Sequence, residues 1–365
     1  PEGFKDDVSL QVATEHKFKN SMIEHFQLNG FQLVKTPLVE FIDSDTERNV
    51  FKIKTNKKEK KLYFRDDITL QVARLSETRL YKKNKPLKLC YYGEVVRRKG
   101  TILRPERQFL QIGAECIGEN NFLADAEMME LAITSLELVG IKNITMEISS
   151  RVFYDKFLSM IKNSLKKNEI KRLIKLKDLI GLKKILNKKN KKYAIDLFSC
   201  TGIYENKKNN LETIAIDQDT LNEVKNIKNI VNIFSKRNKS VNIFLDFCDI
   251  DNKNYHSGIR FTFFAHNIRG EIARGGRYFV KNSKDNISAT GFTCYMDSIL
   301  RASSFKFIDK KILVPFSISK IQLKKLIKQG YSVVKFNKDI LISKKIAKNL
   351  NCQFYIKQNI VKNIN

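Results

Sequence analysis

The chain has 365 residues, 42% of them hydrophobic and 29% charged, with a formal net charge of +29. That length supports two or three domains with a sizeable core, and the balance excludes a disordered or fibrous chain. No apolar run approaches the roughly 20 residues of a membrane-spanning helix, and the opening PEGFKDDVSL holds no basic-then-apolar leader, so neither a span nor a secretory signal is expected.

In SLQVATEHKFKNSMIEHFQLNG, Phe18, Met22 and Phe26 recur every fourth residue with Ile23 beside them, which predicts an amphipathic helix capped by Asn29-Gly30. FQLVKTPLVEF alternates like a strand, with Pro37 marking an edge or a break. KKLYFRDDITLQVARL predicts a strand ending near Phe64, a polar turn, and a helix from about Thr69. PLKLCYYGEVVRR and QFLQIGAECIG read as strands flanking an arginine-rich loop, LADAEMMELAITSLELVG as a helix, and NITMEI as a strand.

Residues 151–240 change character. FYDKFLSMIKNSLKKNEIKRLIKLKDLIGLKKIL is lysine-rich and helical in period, so the segment reads as a mainly helical, insertion-like stretch within a core spanning 1–305. SVNIFLDFCDI, SGIRFTFFAHN and GEIARGGRYFV return to strands, with Gly275-Gly276 as a turn or bulge signal, and SATGFTCYMDSILRA runs from strand into helix. Residues 306–365 alternate as a small βαβαβ unit. The fold class expected is α+β: an antiparallel sheet with helices, plus an α/β appendage.

The six cysteines are scattered, several within apolar runs, and the four histidines show no ligand spacing. A reduced, cytoplasmic protein without structural metal follows. The lysines are interleaved with Asn and Ile along the whole chain, as in KLIKQGYSVVKFNKDILISKKIAKNLN, which points to solvated faces rather than a nucleic-acid surface.

The stretch VVRRKGTILRPERQFLQIGAE packs Arg97, Arg98, Lys99, Arg104 and Arg107 into a bend, suggesting a phosphate site. In the strand after it, Gln111, Gly113 and Glu115 share one face while Leu110, Ile112, Ala114 and Cys116 share the other, which is core. The first face suits a small polar ligand, and it equally suits plain solvent exposure. Asp67 and Thr69 lie at a turn into a helix, where an N-cap role competes with a binding one. Tyr255 and His256 precede a strand, and Tyr278 follows the glycine pair; the alternatives are a capped core aromatic and a surface histidine.

PEGFKDD, PLVEF, RDDITLQVAR, KGTILRPERQF, YHSG, ARGGRY and ATGFTCYMDSILRA, in this order, resemble histidyl-tRNA synthetase. More closely, they resemble its non-catalytic relative, the regulatory subunit of ATP phosphoribosyltransferase. The resemblance implies the class II synthetase sheet, a dimer through the first helix and strand, and no cofactor. Asp67 and Thr69 would receive a histidine ammonium group, Gln111 and Arg97 its carboxylate end, Glu115 its imidazole, with Tyr278 closing the site and Tyr255 among the pocket residues. His256 stands where the synthetase uses a tyrosine.

The departures concern catalysis. The third synthetase motif ends in Glu-Arg, and its place is taken here by Asp297-Ser298. Asp251 stands where a second essential arginine belongs, and Lys99 where the synthetase has an acid. Losing one preorganised electrostatic contact costs about 2.7–4 kcal/mol of barrier, so adenylation is not expected. The resemblance implies instead a hetero-octamer with the short catalytic subunit of ATP phosphoribosyltransferase, acting in the first step of histidine synthesis under feedback by histidine. A divergent histidyl-tRNA synthetase and an RNA-binding paralogue are the alternatives; the stretch after Ser304 looks short for a synthetase anticodon-binding domain.

Overall fold

The computed structural model describes residues 1–8, 10–41, 50–54, 61–162, 164–248, 256–281, 286–305, 310–337, 342–358 and 360–364. Two compact units emerge, Pro1–Asp7 with Glu15–Phe305, and Val8–Thr14 with Lys306–Asn365.

Helix α1 (Leu10–Leu28) buries the predicted stripe of Phe18, Met22, Ile23 and Phe26. Its end is a glycine cap: Gly30 takes φ +87°, and Phe31 N donates to Phe26 O at 3.1 Å. The next run is split at Pro37 into β1 (Gln32–Val34) and β2 (Val39–Phe41), which join different sheets. β3 (Lys52–Ile53) and β4 (Leu62–Phe64) complete a small sheet in the order β2-β4-β3, and α2 (Thr69–Thr78) follows.

The long strands β5 (Leu87–Val96) and β6 (Gln108–Ile117) pair antiparallel, followed by α3 (Phe122–Leu138) and β7 (Ile144–Ser150). The lysine-rich stretch is helical as expected: α4 (Arg151–Ser159), α5 (Ser164–Lys175), α6 (Leu179–Ile185), α7 (Lys188–Ser199), the short β8 (Gly202–Ile203), α8 (Tyr204–Lys207), a 3₁₀ turn and α9 (Gln218–Arg237). It is not peripheral. Val224, Ile227, Ile230, Val231 and Phe234 of α9 share one core with α1 and α3. Then come β9 (Asn242–Leu245), β10 (His256–Ala265), β11 (Glu271–Lys281), β12 (Asn286–Tyr295) and α10 (Met296–Ala302).

Among the described residues nine strands form one sheet, ordered β1-β5-β6-β12-β11-β10-β7-β9-β8. From β5 to β7 every pairing is antiparallel, while β1 and β9 join in parallel. Gly275-Gly276 makes no turn; the pair lies inside β11, and the irregularity is in β10, between His256 and Arg260 opposite Tyr278 and Gly276. One sheet face carries the large apolar core with α1, α3, α4, α7 and α9, and the other carries α2 with Tyr91, Phe109, Tyr278 and Tyr295. All six cysteines are free and buried.

Arg277 anchors α3 to the sheet. Its guanidinium donates to Asp125 Oδ2 (2.9 and 3.1 Å), to the Glu119 and Asn121 carbonyls (2.9 and 2.7 Å) and to Ser288 Oγ (2.6 Å). Both charged side chains are nearly enclosed, at 12% and 5% exposure.

In the second unit, β13 (Lys311–Pro315), α11 (Lys320–Lys328), β14 (Ser332–Phe336), α12 (Lys344–Asn349) and β15 (Phe354–Lys357) form the expected βαβαβ run. An unpredicted strand, β16 (Ile360–Asn363), pairs antiparallel with β15, giving the order β14-β13-β15-β16. The pattern NIVKN alternates over too few residues to stand out without its partner. Among the described residues no helix is long and apolar enough to cross a membrane.

Removing Arg277 leaves the Asp125 carboxylate buried without its counter-charge. Arg277→Met is therefore expected to lower the unfolding free energy by about 3–5 kcal/mol, measured by urea denaturation.

Candidate functional site

The α2 face of the sheet holds a buried polar cluster built from four strands and a turn. Gln111 and Glu115 of β6 are both at 0% exposure, which rules out the solvent-facing reading of that face. Tyr91 comes from β5, Thr293 from β12 and Tyr278 from β11. Tyr91 and Thr293 are the strand partners of Gly113 on its two sides, so the glycine separates Gln111 from Glu115 while its neighbours reach across. A methyl group on Gly113 would lie 2.4 Å from the Tyr91 hydroxyl.

Glu115 is the centre of the cluster. Tyr278 donates to its Oε2 at 2.9 Å and Tyr91 to its Oε1 at 3.2 Å. The Tyr91 hydroxyl also lies 2.9 Å from Thr69 Oγ1 and 2.7 Å from Thr293 Oγ1. Desolvation pushes the Glu115 carboxyl up to about 8, against the hydrogen bonds from Tyr278, Thr69 and Tyr91. Burial, with Glu115 and Asp67 nearby, holds the Tyr91 hydroxyl well above its ordinary value, so it remains a donor.

The FRDDIT turn closes the other end. Ile68 N donates to Gln111 Oε1 at 3.2 Å, and Gln111 Nε2 donates to Asp67 Oδ2 at 3.4 Å. Asp67 Oδ1 accepts from Thr69 N at 2.9 Å, although the N-cap position itself is Ile68, which makes no side-chain cap. The turn is held by buried Arg65, which donates to the Glu94 carbonyl at 2.7 Å and to the Thr36 carbonyl and hydroxyl at 3.0 Å. Five of the anticipated site residues, Asp67, Thr69, Gln111, Glu115 and Tyr278, thus converge.

A family model of histidyl-tRNA synthetase matches residues 3–299. The chain belongs to that family. It is 28% identical over 344 residues to an ATP phosphoribosyltransferase regulatory subunit of Rhodospirillum centenum, covering 92% of this chain and 88% of the relative. It is 27% identical to the protein of the same name from Acetivibrio thermocellus, over 83% of this chain and 75% of that one. Among solved structures, it superposes with a TM-score of 0.82 at 21% identity on an ATP phosphoribosyltransferase regulatory subunit/histidyl-tRNA synthetase from Bacillus halodurans, covering 98% and 97% of the two chains. A TM-score of 0.61 at 19% identity relates it to an ATP phosphoribosyl transferase (HisG:HisZ) complex from Thermotoga maritima, over 77% and 97%. The fold is the class II synthetase-like one anticipated above.

The remaining positions sort by distance from the cluster. His256 opens β10 and is the strand partner of Tyr278, so it enters on the same side of the sheet. Arg97 lies further along the face, its guanidinium carbon 4.9 Å from the Phe109 ring centre and 5.9 Å from that of Tyr295, the strand partner of Gln111. Ser298 is buried on α10, with Arg301 Nη2 3.4 Å from its hydroxyl. Tyr255 and Asp251 fall outside the described residues. Sequence reasoning missed Tyr91 and Thr293. The alternation of Leu89, Tyr91 and Gly93 marks one face of PLKLCYYGE, but only the pairing with β6 shows which face.

Because the folded Glu115 carboxyl titrates near 8 instead of 4.5, the fold favours its neutral form. That contribution to stability is complete below about pH 4.5 and is lost as pH rises through 8. The melting temperature of Glu115→Gln relative to the parent chain should therefore rise between pH 6 and pH 9. An equal difference at both values would refute the assignment.

Proposed function

We propose that this chain is a non-catalytic regulatory subunit of ATP phosphoribosyltransferase. It assembles with a short catalytic subunit as a hetero-octamer, itself pairing as a class II-type dimer, and serves the first step of histidine biosynthesis in the cytoplasm. The observation that carries the reading is an asymmetry along one sheet face. The end built from Asp67, Thr69, Gln111, Glu115 and Tyr278 offers carboxylate, hydroxyl and amide groups suited to a small amino acid. At the other end, the position of the motif arginine is a buried serine, Ser298, beside the acid Asp297. The names of the relatives similar over most of the chain support the same reading.

In this role histidine is the ligand of the cluster: Asp67 and Thr69 receive its ammonium group, Glu115 and Tyr278 face its imidazole, and Gln111 and Arg97 lie toward its carboxylate. Feedback inhibition then follows from linkage. Histidine shifts the partner's activity only by the difference in its affinity for the two states of the assembly.

Mixing the purified chain with a short-form catalytic subunit should raise that subunit's turnover and change its sensitivity to histidine. Unchanged turnover and unchanged sensitivity would overturn the reading, as would histidine-dependent exchange of pyrophosphate into ATP by the chain alone. Calorimetry on the isolated chain should show histidine binding that Gln111→Met weakens about tenfold or more, the loss expected for one hydrogen bond to a charged group.

A further inference from the structure

The bend between β5 and β6 gathers arginines, yet the structure gives the most enclosed of them partners from the chain itself. Arg104 is 5% exposed, with its guanidinium carbon 3.6 Å from the Tyr295 ring centre. Its Nη2 lies 3.1 Å from both the Glu271 carbonyl and Glu271 Oε1, and its Nε lies 3.7 Å from Asp297 Oδ2. Asp297 also meets Arg301 at 3.4 Å, and Arg301 grips Glu106, back on the arginine loop. Arg107, by contrast, is spent on the Glu2 and Arg97 carbonyls and on the rings of Phe4 and Phe51.

The position matters. Tyr295, which carries Arg104 on its ring, is the strand partner of Gln111, so the guanidinium lies at the end of the face that begins at Glu115. A guanidinium presents a planar fork of donors that fits two oxygens of a phosphate or of a carboxylate equally well.

We propose that Glu271 and Asp297 act as a built-in anion, holding on Arg104 the places that the oxygens of pyrophosphate or a nucleoside triphosphate would take. Arg104 is closed to polyphosphate by carboxylates of this chain, and not by any shortage of cations around it. Three observations agree. The two acids come from different elements, the start of β11 and the first turn of α10, and converge on one guanidinium. Against the desolvation of its own burial, Arg104, the backbone, Arg274 and Arg97 keep the Glu271 carboxyl below its usual range, so it is an anion at neutral pH. The link through Arg301 to Glu106 then ties the loop down on α10, so an incoming phosphate would have to displace fixed carboxylates of its own sign. Glu271 and Asp297 are thereby specificity-determining residues, and the inference holds whether or not the chain serves a phosphoribosyltransferase.

The test is calorimetric titration of pyrophosphate, and separately of ATP, into the full chain at constant ionic strength. The parent chain should bind neither, whereas Glu271→Gln and Asp297→Asn should each bind pyrophosphate at least about tenfold more tightly, the scale of one charged hydrogen-bond partner. Adding Arg104→Met to Glu271→Gln should abolish the gain. If Asp297→Asn does not fold, Glu271→Gln, whose side chain is 26% exposed, carries the comparison. Tight binding by the parent chain, no gain in folded Glu271→Gln, or a gain that survives Arg104→Met would each overturn the proposal.

Discussion

Enclosing a carboxyl group in a protein costs several kcal/mol unless hydrogen bonds replace its water, and Glu115 sits in the middle of the sheet with no exposure at all. The strands around it are shaped to that need. Tyr91 and Tyr278 arrive from two different strands to donate to its two oxygens. Gly291, its strand partner on β12, must be glycine, because a Cβ there would lie 1.8 Å from Glu115 Oε2. A slip of β6 by one residue would turn Glu115 into the apolar core with α1 and α3, and turn Ile112 and Ala114 toward the tyrosines. The register of the central strands and the placement of this carboxyl are thus one constraint.

From Glu115 the face extends along β6 by about 3.4 Å per residue, so Gln111 lies roughly 14 Å away and the Phe109–Tyr295 pair beyond it. The two ends differ in chemistry. Near Glu115 the groups are hydroxyls, an amide and the carboxyl groups of Asp67 and Glu115, hydrogen-bonded to one another. Near Tyr295 they are charged side chains, with Arg104 and Arg301 facing Glu271 and Asp297 and Arg97 lying over the Phe109 and Tyr295 rings. Phosphoryl or adenylyl chemistry needs cations whose fields are aimed at the charge that develops on the substrate. Arg104 has its Nη2 turned to Glu271, 3.1 Å from Oε1, rather than to open space.

Alternation along β11 joins the two sides of the sheet. Tyr278 points into the polar cluster, and Arg277, next to it in sequence, points the other way and fastens the N-terminal end of α3. The strand that completes the cluster is therefore also the one that seats a helix on the opposite core. Helix α9 packs in that same core and brings the buried Glu223 to Ser150, so the lysine-rich segment is structurally continuous with the sheet that bears the cluster.

Much of this was legible in the amino-acid order. The stripe of Phe18, Met22 and Phe26, the strand-turn-helix of LYFRDDITL and the two-faced alternation of QFLQIGAEC are local patterns of period 3.6 or 2, and local periodicity survives folding. The family resemblance rested on short motifs and reached as far as Asp67, Thr69, Gln111, Glu115 and Tyr278. What the order of residues did not disclose were relations between distant segments. The burial of Gln111 and Glu115, the arrival of Tyr91 and Thr293 on either side of Gly113, the interior place of Gly275-Gly276 in β11 and the pairing of β16 all depend on which strand lies beside which. The arginines of the bend are the clearest case. Five basic residues in a row of eleven read as an anion site, because charge is visible in sequence. The carboxylates that answer Arg104 lie more than 160 positions away, and only the folded chain brings Glu271 and Asp297 to it. Electrostatic pairing depends on distance in space, and that distance is set by the tertiary fold.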